Sequence, residues 1–267
     1  MESKRLFDCI EHQLTNFPQE AMFAAKENGA WKKYPTTEVA STVNALSAGL
    51  LSLGLSGHDF TPEGSDKIAI ISSNRPEWLM ADMATQQIGV IWVPVYPTTN
   101  PLELTFILND ASVQYMFASN QDLYNKVMSI KDKVPCLKEV YTFDHIPGAK
   151  HWSELCLKDA DLLQQVDVIK KTIPVEQVAT FIYTSGTTGT PKGVMLTHHS
   201  IYFNLQSGKN SFPFPDKPDQ KVLSFLPLNH IFEKVASYIY MYSGMSIYYA
   251  ESMDTIGDNL KEVSPDA

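Results

Sequence analysis

The chain has 267 residues, 44% of them hydrophobic and 19% charged, with a net charge of −9 at pH 7. That is ample apolar material for a large buried core, and the acidic balance works against a nucleic-acid surface, which needs a basic field. No stretch approaches the ~20 apolar residues of a transmembrane helix, and Met1-Glu2-Ser3-Lys4-Arg5 places charges where a secretory signal would turn apolar.

Leu6, Ile10, Leu14 and Phe17 recur at helical spacing and predict an amphipathic N-terminal helix. Thr36 or Thr37 caps a second helix with an apolar face of Val39, Val43, Leu46, Leu50 and Leu53, ending near Gly54. Lys67 to Ile71 reads as a strand. Asn74-Arg75-Pro76-Glu77 reads as a helix cap, first-turn proline and acid, with the helix running to about Gln87. The pattern repeats with a strand over Val90–Val95, a helix capped by Asn100 and opened by Pro101 and Glu103, and a strand over Val113–Ala118. A helix from about Asp122 to Lys133 and a short strand from Lys138 to Phe143 follow. Asp144 to Val175 is polar and mixed, and is expected to cross the surface.

Val178 to Ile182 is a further strand, and beyond the next segment His198-His199-Ser200 starts a helix through about Gly208. Residues 212–218 form an irregular connection, Val222 to Leu226 a strand, Ile231 to Tyr242 a helix, Met245 to Tyr249 a strand and Thr255 to Val263 a last helix. Helices alternating with near-continuous apolar strands predict an α/β fold with mainly parallel sheets flanked by helices. Cys9, Cys136 and Cys156 lie far apart, without C-x-x-C or zinc spacing, and fit buried thiols in a reducing compartment. A cytoplasmic protein is expected; peripheral membrane contact and a homodimer stay open. Lys32-Lys33 and Lys170-Lys171 read as solvated faces.

The richest chemistry lies in Tyr183-Thr184-Ser185-Gly186-Thr187-Thr188-Gly189-Thr190-Pro191-Lys192-Gly193, directly behind a strand. Gly186, Gly189 and Gly193 allow positive φ and bring N–H groups close to an anion, the hydroxyls add donors, and Lys192 adds a positive charge. Such a loop suits a polyphosphate. A Walker A loop requires Gly-Lys-Ser/Thr, whereas here Lys192 follows Pro191 and precedes Gly193, so the spacing of a P-loop phosphotransferase fails. A flexible Gly/Thr linker is the bland alternative, opposed by Pro191 and the strand in front.

As a whole the segment resembles the phosphate-loop signature of the AMP-forming adenylating enzymes: acyl-CoA synthetases, peptide-synthetase adenylation domains and luciferases. The resemblance implies that Thr184 reaches Mg2+, that Ser185, Gly186, Thr187, Thr188 and Gly189 wrap the ATP phosphates, and that Lys192 and Gly193 complete the cradle, Lys192 opposing charge on the leaving pyrophosphate. Phe225-Leu226-Pro227-Leu228-Asn229-His230-Ile231-Phe232-Glu233-Lys234 is similar to a second signature of that superfamily. It implies that His230 sits beside the carboxylate and α-phosphate, with Phe232 and Glu233 shaping the nearby wall. On its own, His230 is equally a helix cap or a satisfied buried group. Tyr238, Tyr240, Tyr242, Tyr248 and Tyr249 either line an acyl channel or, for most, pack the core.

The NRPEW opening, the GVIWVPVYPT strand and the ILNDA helix end are similar to long-chain fatty acyl-CoA synthetases. That likeness implies ATP-dependent activation of a fatty acid to acyl-adenylate and then acyl-CoA, with Mg2+ and CoA required. Family members run to about twice this length. Their Tyr-Gly-x-Thr-Glu and Thr-Gly-Asp segments and small C-terminal domain are missing, so residues 1–267 are expected to be the front of one AMP-binding domain, inactive alone. The competing expectation is a stand-alone nucleotide- or phosphate-binding module without catalysis.

Overall fold

The structure is a computed structural model describing residues 5–184, 190–211 and 220–266. In chain order the elements are α1 (Asp8–Asn16), β1 (Phe23–Glu27), β2 (Ala30–Tyr34), α2 (Thr36–Ser52), β3 (Lys67–Ile71), α3 (Pro76–Gln86), β4 (Ile91–Val95), α4 (Pro101–Asp110), β5 (Tyr115–Ala118) and α5 (Gln121–Met128). They continue with β6 (Glu139–Thr142), β7 (Lys150–His151), α6 (Ala160–Thr172), β8 (Val178–Thr184), β9 (Lys192–Thr197), α7 (His198–Ser211), β10 (Lys221–Ser224), α8 (Ile231–Tyr242), β11 (Ser246–Tyr249) and α9 (Ile256–Val263). The chain divides into two compact units, one of residues 44–73 and 81–197, the other of 1–43, 74–80 and 198–267.

The first unit is built on a seven-stranded sheet in the order β7-β6-β5-β3-β4-β8-β9. Its ladders are parallel except for the antiparallel β8–β9 pair. Every residue of β3 and β4 is buried, which is why both strands, apart from Lys67 at the start of β3, read as unbroken apolar runs. Trp92, Phe117 and Phe143 form an aromatic file within this core.

β4 carries a proline in a central position. Ile91 donates its N–H to Asp66 on the β3 side, so by strand alternation the nitrogens of Trp92 and Pro94 face β8. Pro94 has no hydrogen to give, and the β4–β8 register consists of the single pair Trp92↔Thr180. The Thr180 hydroxyl reinforces it by donating to the Trp92 carbonyl at 2.8 Å.

The second unit holds a four-stranded sheet in the order β10-β11-β1-β2, parallel across β10–β11–β1 and antiparallel between β1 and β2. The β1–β2 hairpin is absent from the sequence-based expectation, although Asn28 (φ 52°) and Gly29 (φ 79°) form the left-handed pair that a tight hairpin turn requires.

Two further differences are local. The polar passage from Asp144 to Val175, for which no element was expected, contains α6, capped by Asp159, whose carboxylate accepts the Leu162 N–H at 3.0 Å. The Lys170-Lys171 pair lies in its last turn. The helix expected to reach Lys133 stops at Met128, and a 3-10 turn covers Lys131–Lys133. Asn100 caps α4 as expected, accepting from Leu102 and Glu103.

Candidate functional site

The glycine-rich segment spans the open end of a hairpin. β8 and β9 pair through Tyr183↔Gly193 and Thr184↔Lys192, so the loop leaves and re-enters the sheet at adjacent positions. Thr184 and Lys192 stand exposed at its two feet. Ser185, Gly186, Thr187, Thr188 and Gly189 lie outside the described residues.

Gly193 corrects its sequence-based role: its φ is not positive, and what it supplies is space. A Cβ there would sit 3.1 Å from the Tyr183 ring. That ring is fixed at its tip, where Tyr183 Oη donates to Asp110 Oδ2 at 2.6 Å. Burial, then Asp110, hold the phenol far above its ordinary pKa, so it acts as a neutral donor.

The other group lies in the second unit, at the end of β10 and the start of α8. His230 is the N-cap of α8, and its Nδ1 accepts the Phe232 N–H at 3.1 Å. A neutral ring in this arrangement carries its proton on Nε2. The cap reading is realised, and the ring is exposed rather than a buried group. Phe232 is 64% exposed, whereas Glu233 is buried and accepts the Ser224 hydroxyl proton at 2.6 Å. Burial raises the Glu233 carboxyl from 4.5 to about 7, partly offset by Ser224.

Asn74 also belongs to this group, which overturns its expected role as a helix cap. Its Nδ2 donates to Leu226 O at 2.7 Å and to Ser224 Oγ at 3.2 Å, and its Oδ1 accepts the Leu228 N–H at 2.9 Å. Lys234 is fully buried, with its ammonium 5.6 Å from the centroid of the Trp78 ring.

His198 begins α7 and is buried. Its Nδ1 accepts the Leu6 N–H at 3.4 Å. Burial, then the positive charges of Arg5 and Lys234, push its pKa down to about 3.

Structure thus brings Thr184, Lys192 and Gly193 together at one hairpin end, and His230, Phe232 and Glu233 together in one helical turn. Tyr238, Tyr248 and Tyr249 are core residues. Cys9 is buried as expected, but Cys136 is exposed and Cys156 half-buried. Among the described residues there is no cluster of three or more His, Cys, Asp or Glu side chains suited to a metal, and no helix long and apolar enough to cross a membrane. Asn74, Ser224 and Asp110 escaped sequence reasoning because their partners are distant in the chain; an asparagine two residues before a first-turn proline looks like a cap from local pattern alone.

The sequence matches the family described as AMP-binding enzyme over residues 10–264. Long chain acyl-CoA synthetase 6, peroxisomal, of Arabidopsis thaliana is 30% identical over 96% of this chain and 36% of that protein. The long-chain-fatty-acid–CoA ligase FadD15 of Mycobacterium tuberculosis is 26% identical over 92% of this chain and 40% of its own length. The chain therefore spans 33% to 40% of the length of these and similar curated relatives. Among solved structures, a long-chain-fatty-acid-CoA ligase (FadD1) from Archaeoglobus fulgidus superposes with a TM-score of 0.76 at 17% identity, covering 98% of this chain and 50% of that one. The N-terminal domain of FACL13 from Mycobacterium tuberculosis gives 0.72 at 16% identity, covering 97% and 61%. The fold is that of the N-terminal domain of adenylate-forming enzymes. With a family match extending over nearly all of its length, the chain belongs to the AMP-binding enzymes.

Proposed function

We propose that the protein carrying this chain activates a long-chain fatty acid with ATP, forming an acyl-adenylate and pyrophosphate, and then transfers the acyl group to CoA with release of AMP. The observation that carries this reading is the β8–β9 hairpin, which holds Thr184 and Lys192 side by side at the mouth of a Gly/Thr/Ser loop. Lys192 is the mobile charge that opposes negative charge building on the leaving pyrophosphate, and the loop from Ser185 to Gly189 supplies donors to the phosphates.

His230 presents an Nε2–H donor to an oxygen of the carboxylate or α-phosphate. It is not a general base, because the attacking carboxylate is already ionised and has no proton to lose. Phe232 offers an exposed apolar face to the acyl part, and Glu233 supports the turn from behind. The exposed hydroxyl of Thr184 suits a Mg2+ ion held mostly by phosphate oxygens and water, as this small hard cation prefers. Residues 1–267 are then the front of one AMP-binding domain.

Fatty-acid-dependent exchange of labelled pyrophosphate into ATP by the full-length protein tests the assignment. Exchange with long-chain acids supports it. Nucleotide binding without exchange at any chain length replaces it with a stand-alone binding module.

A further inference from the structure

The turn leading into His230 is closed by a single amide. Each hydrogen of Asn74 Nδ2 has its own acceptor, Leu226 O and Ser224 Oγ, while Oδ1 takes the N–H of Leu228. One side chain therefore ties the end of β10 to both residues flanking Pro227, which has no N–H of its own. The Pro227 carbonyl in turn accepts the His230 N–H at 2.9 Å. On the far side of His230, Ser224 Oγ donates its own hydrogen bond to Glu233 Oε1 at 2.6 Å, so the same network grips the first turn of α8.

We propose that Asn74 is a positioning residue that sets the orientation and tautomer of His230 through the Ser224–Leu228 turn. The proposal rests on the reading above in assigning His230 a task, but the geometry is its own. Aspartate at position 74 loses both donors and sets a negative charge against the Leu226 carbonyl. Alanine leaves the N–H of buried Leu228 and the Leu226 carbonyl without this partner. Either change loosens the segment that feeds the N-cap, and with it the Phe232 N–H···Nδ1 bond that places the ring proton on Nε2.

The test compares Asn74→Ala, Asn74→Asp, Ser224→Ala and Ser224→Thr with the parent, all in the full-length protein. The readouts are imidazole 15N shifts of His230, assigned with His230→Gln, and amide exchange at Leu228. The parent shows one tautomer, Nε2–H. Both Asn74 variants give mixed tautomers and at least tenfold faster Leu228 exchange with an unchanged near-ultraviolet circular dichroism spectrum. Ser224→Thr keeps the parent signature, and Ser224→Ala shifts part-way. Pyrophosphate exchange in the Asn74 variants loses tenfold or more in kcat, with KM for ATP within twofold.

A single Nε2–H tautomer and parent-like Leu228 exchange in a folded Asn74 variant overturn the proposal. Should Asn74→Ala not fold, Asn74→Asp decides by the same comparison. A parent protein without pyrophosphate exchange sinks the ligase reading alone, because the tautomer and amide measurements need no turnover.

Discussion

Tyr183 and Asp110 are joined by a 2.6 Å hydrogen bond between residues 73 positions apart, tying the strand that enters the glycine-rich loop to the last residue of α4. Tyr183→Phe keeps the ring against Gly193 and removes only the donor. Because Asp110 is exposed, the expected loss is modest, about 1 kcal/mol in urea unfolding. Faster amide exchange at the Tyr183–Gly193 pair should accompany it, and parent-like exchange there would show that the bond does not hold the hairpin.

Lys192→Ala should lower the rate of pyrophosphate exchange at least tenfold while leaving the urea midpoint within error, since an exposed strand-end lysine contributes charge rather than packing. Equal exchange rates in parent and variant would remove Lys192 from the chemistry.

Glu233 makes stability fall as pH rises. Below pH 4.5 the carboxyl is protonated in both folded and unfolded chains. Above that the unfolded chain ionises first, and the penalty grows until the folded pKa of about 7 is passed. The separation corresponds to roughly 3 kcal/mol at its plateau. Glu233→Gln retains an acceptor for Ser224 and should gain stability over the parent at pH 8.5 but not at pH 4.5. A constant difference across that interval would rule the account out.

His198 acts at the other end of the scale. With its folded pKa near 3, the imidazole stays neutral in the fold while the unfolded chain takes up a proton below pH 6.5. Stability is therefore lost on acidification, by about 2 kcal/mol at pH 5 from this group. His198→Gln, which keeps an acceptor for the Leu6 N–H, should flatten the slope of stability between pH 7 and 5. A variant with the parental slope would exclude His198 as its source.

Gly49 lies inside α2, where alanine is ordinarily the better helix former by about 1 kcal/mol. Here a Cβ would meet the Leu155 carbonyl oxygen at 1.7 Å, too close for anything but a backbone shift. Gly49→Ala should cost 2 kcal/mol or more, on the scale of overpacking. Gly257→Ala in α9, where nothing lies within 4 Å of the new methyl, should cost nothing. Thermal melts of the two variants give the contrast, and equal melting temperatures would contradict it.

Much of the architecture was readable from local pattern because burial on both faces writes itself as an apolar run, as in β3 and β4. α6 was not readable: Val166 is its sole buried residue, so no apolar stripe marks it. β2 is exposed along most of its length, and its hairpin partner β1 finds its other neighbour, β11, more than 200 residues away. The two signature segments were visible as sequence, and so were the strand before the first and the cap setting of His230, but β9, which turns the first into a hairpin, is half exposed and was not read. What Asn74 does was hidden, because its acceptors lie about 150 residues downstream.

Pro94 gives the β8–β9 hairpin an unusual mounting. With one registered backbone pair to β4 at Trp92↔Thr180, the outer part of the β8–β9 hairpin projects beyond its point of attachment like a cantilever. At Pro94 the main-chain donor that would face β8 is missing, so the hairpin beyond Thr180 has one bond fewer to β4 than another residue there would allow. A parallel core and an antiparallel edge hairpin thereby meet within one sheet at a strand position with no N–H to give, through the chemistry of a single imino acid.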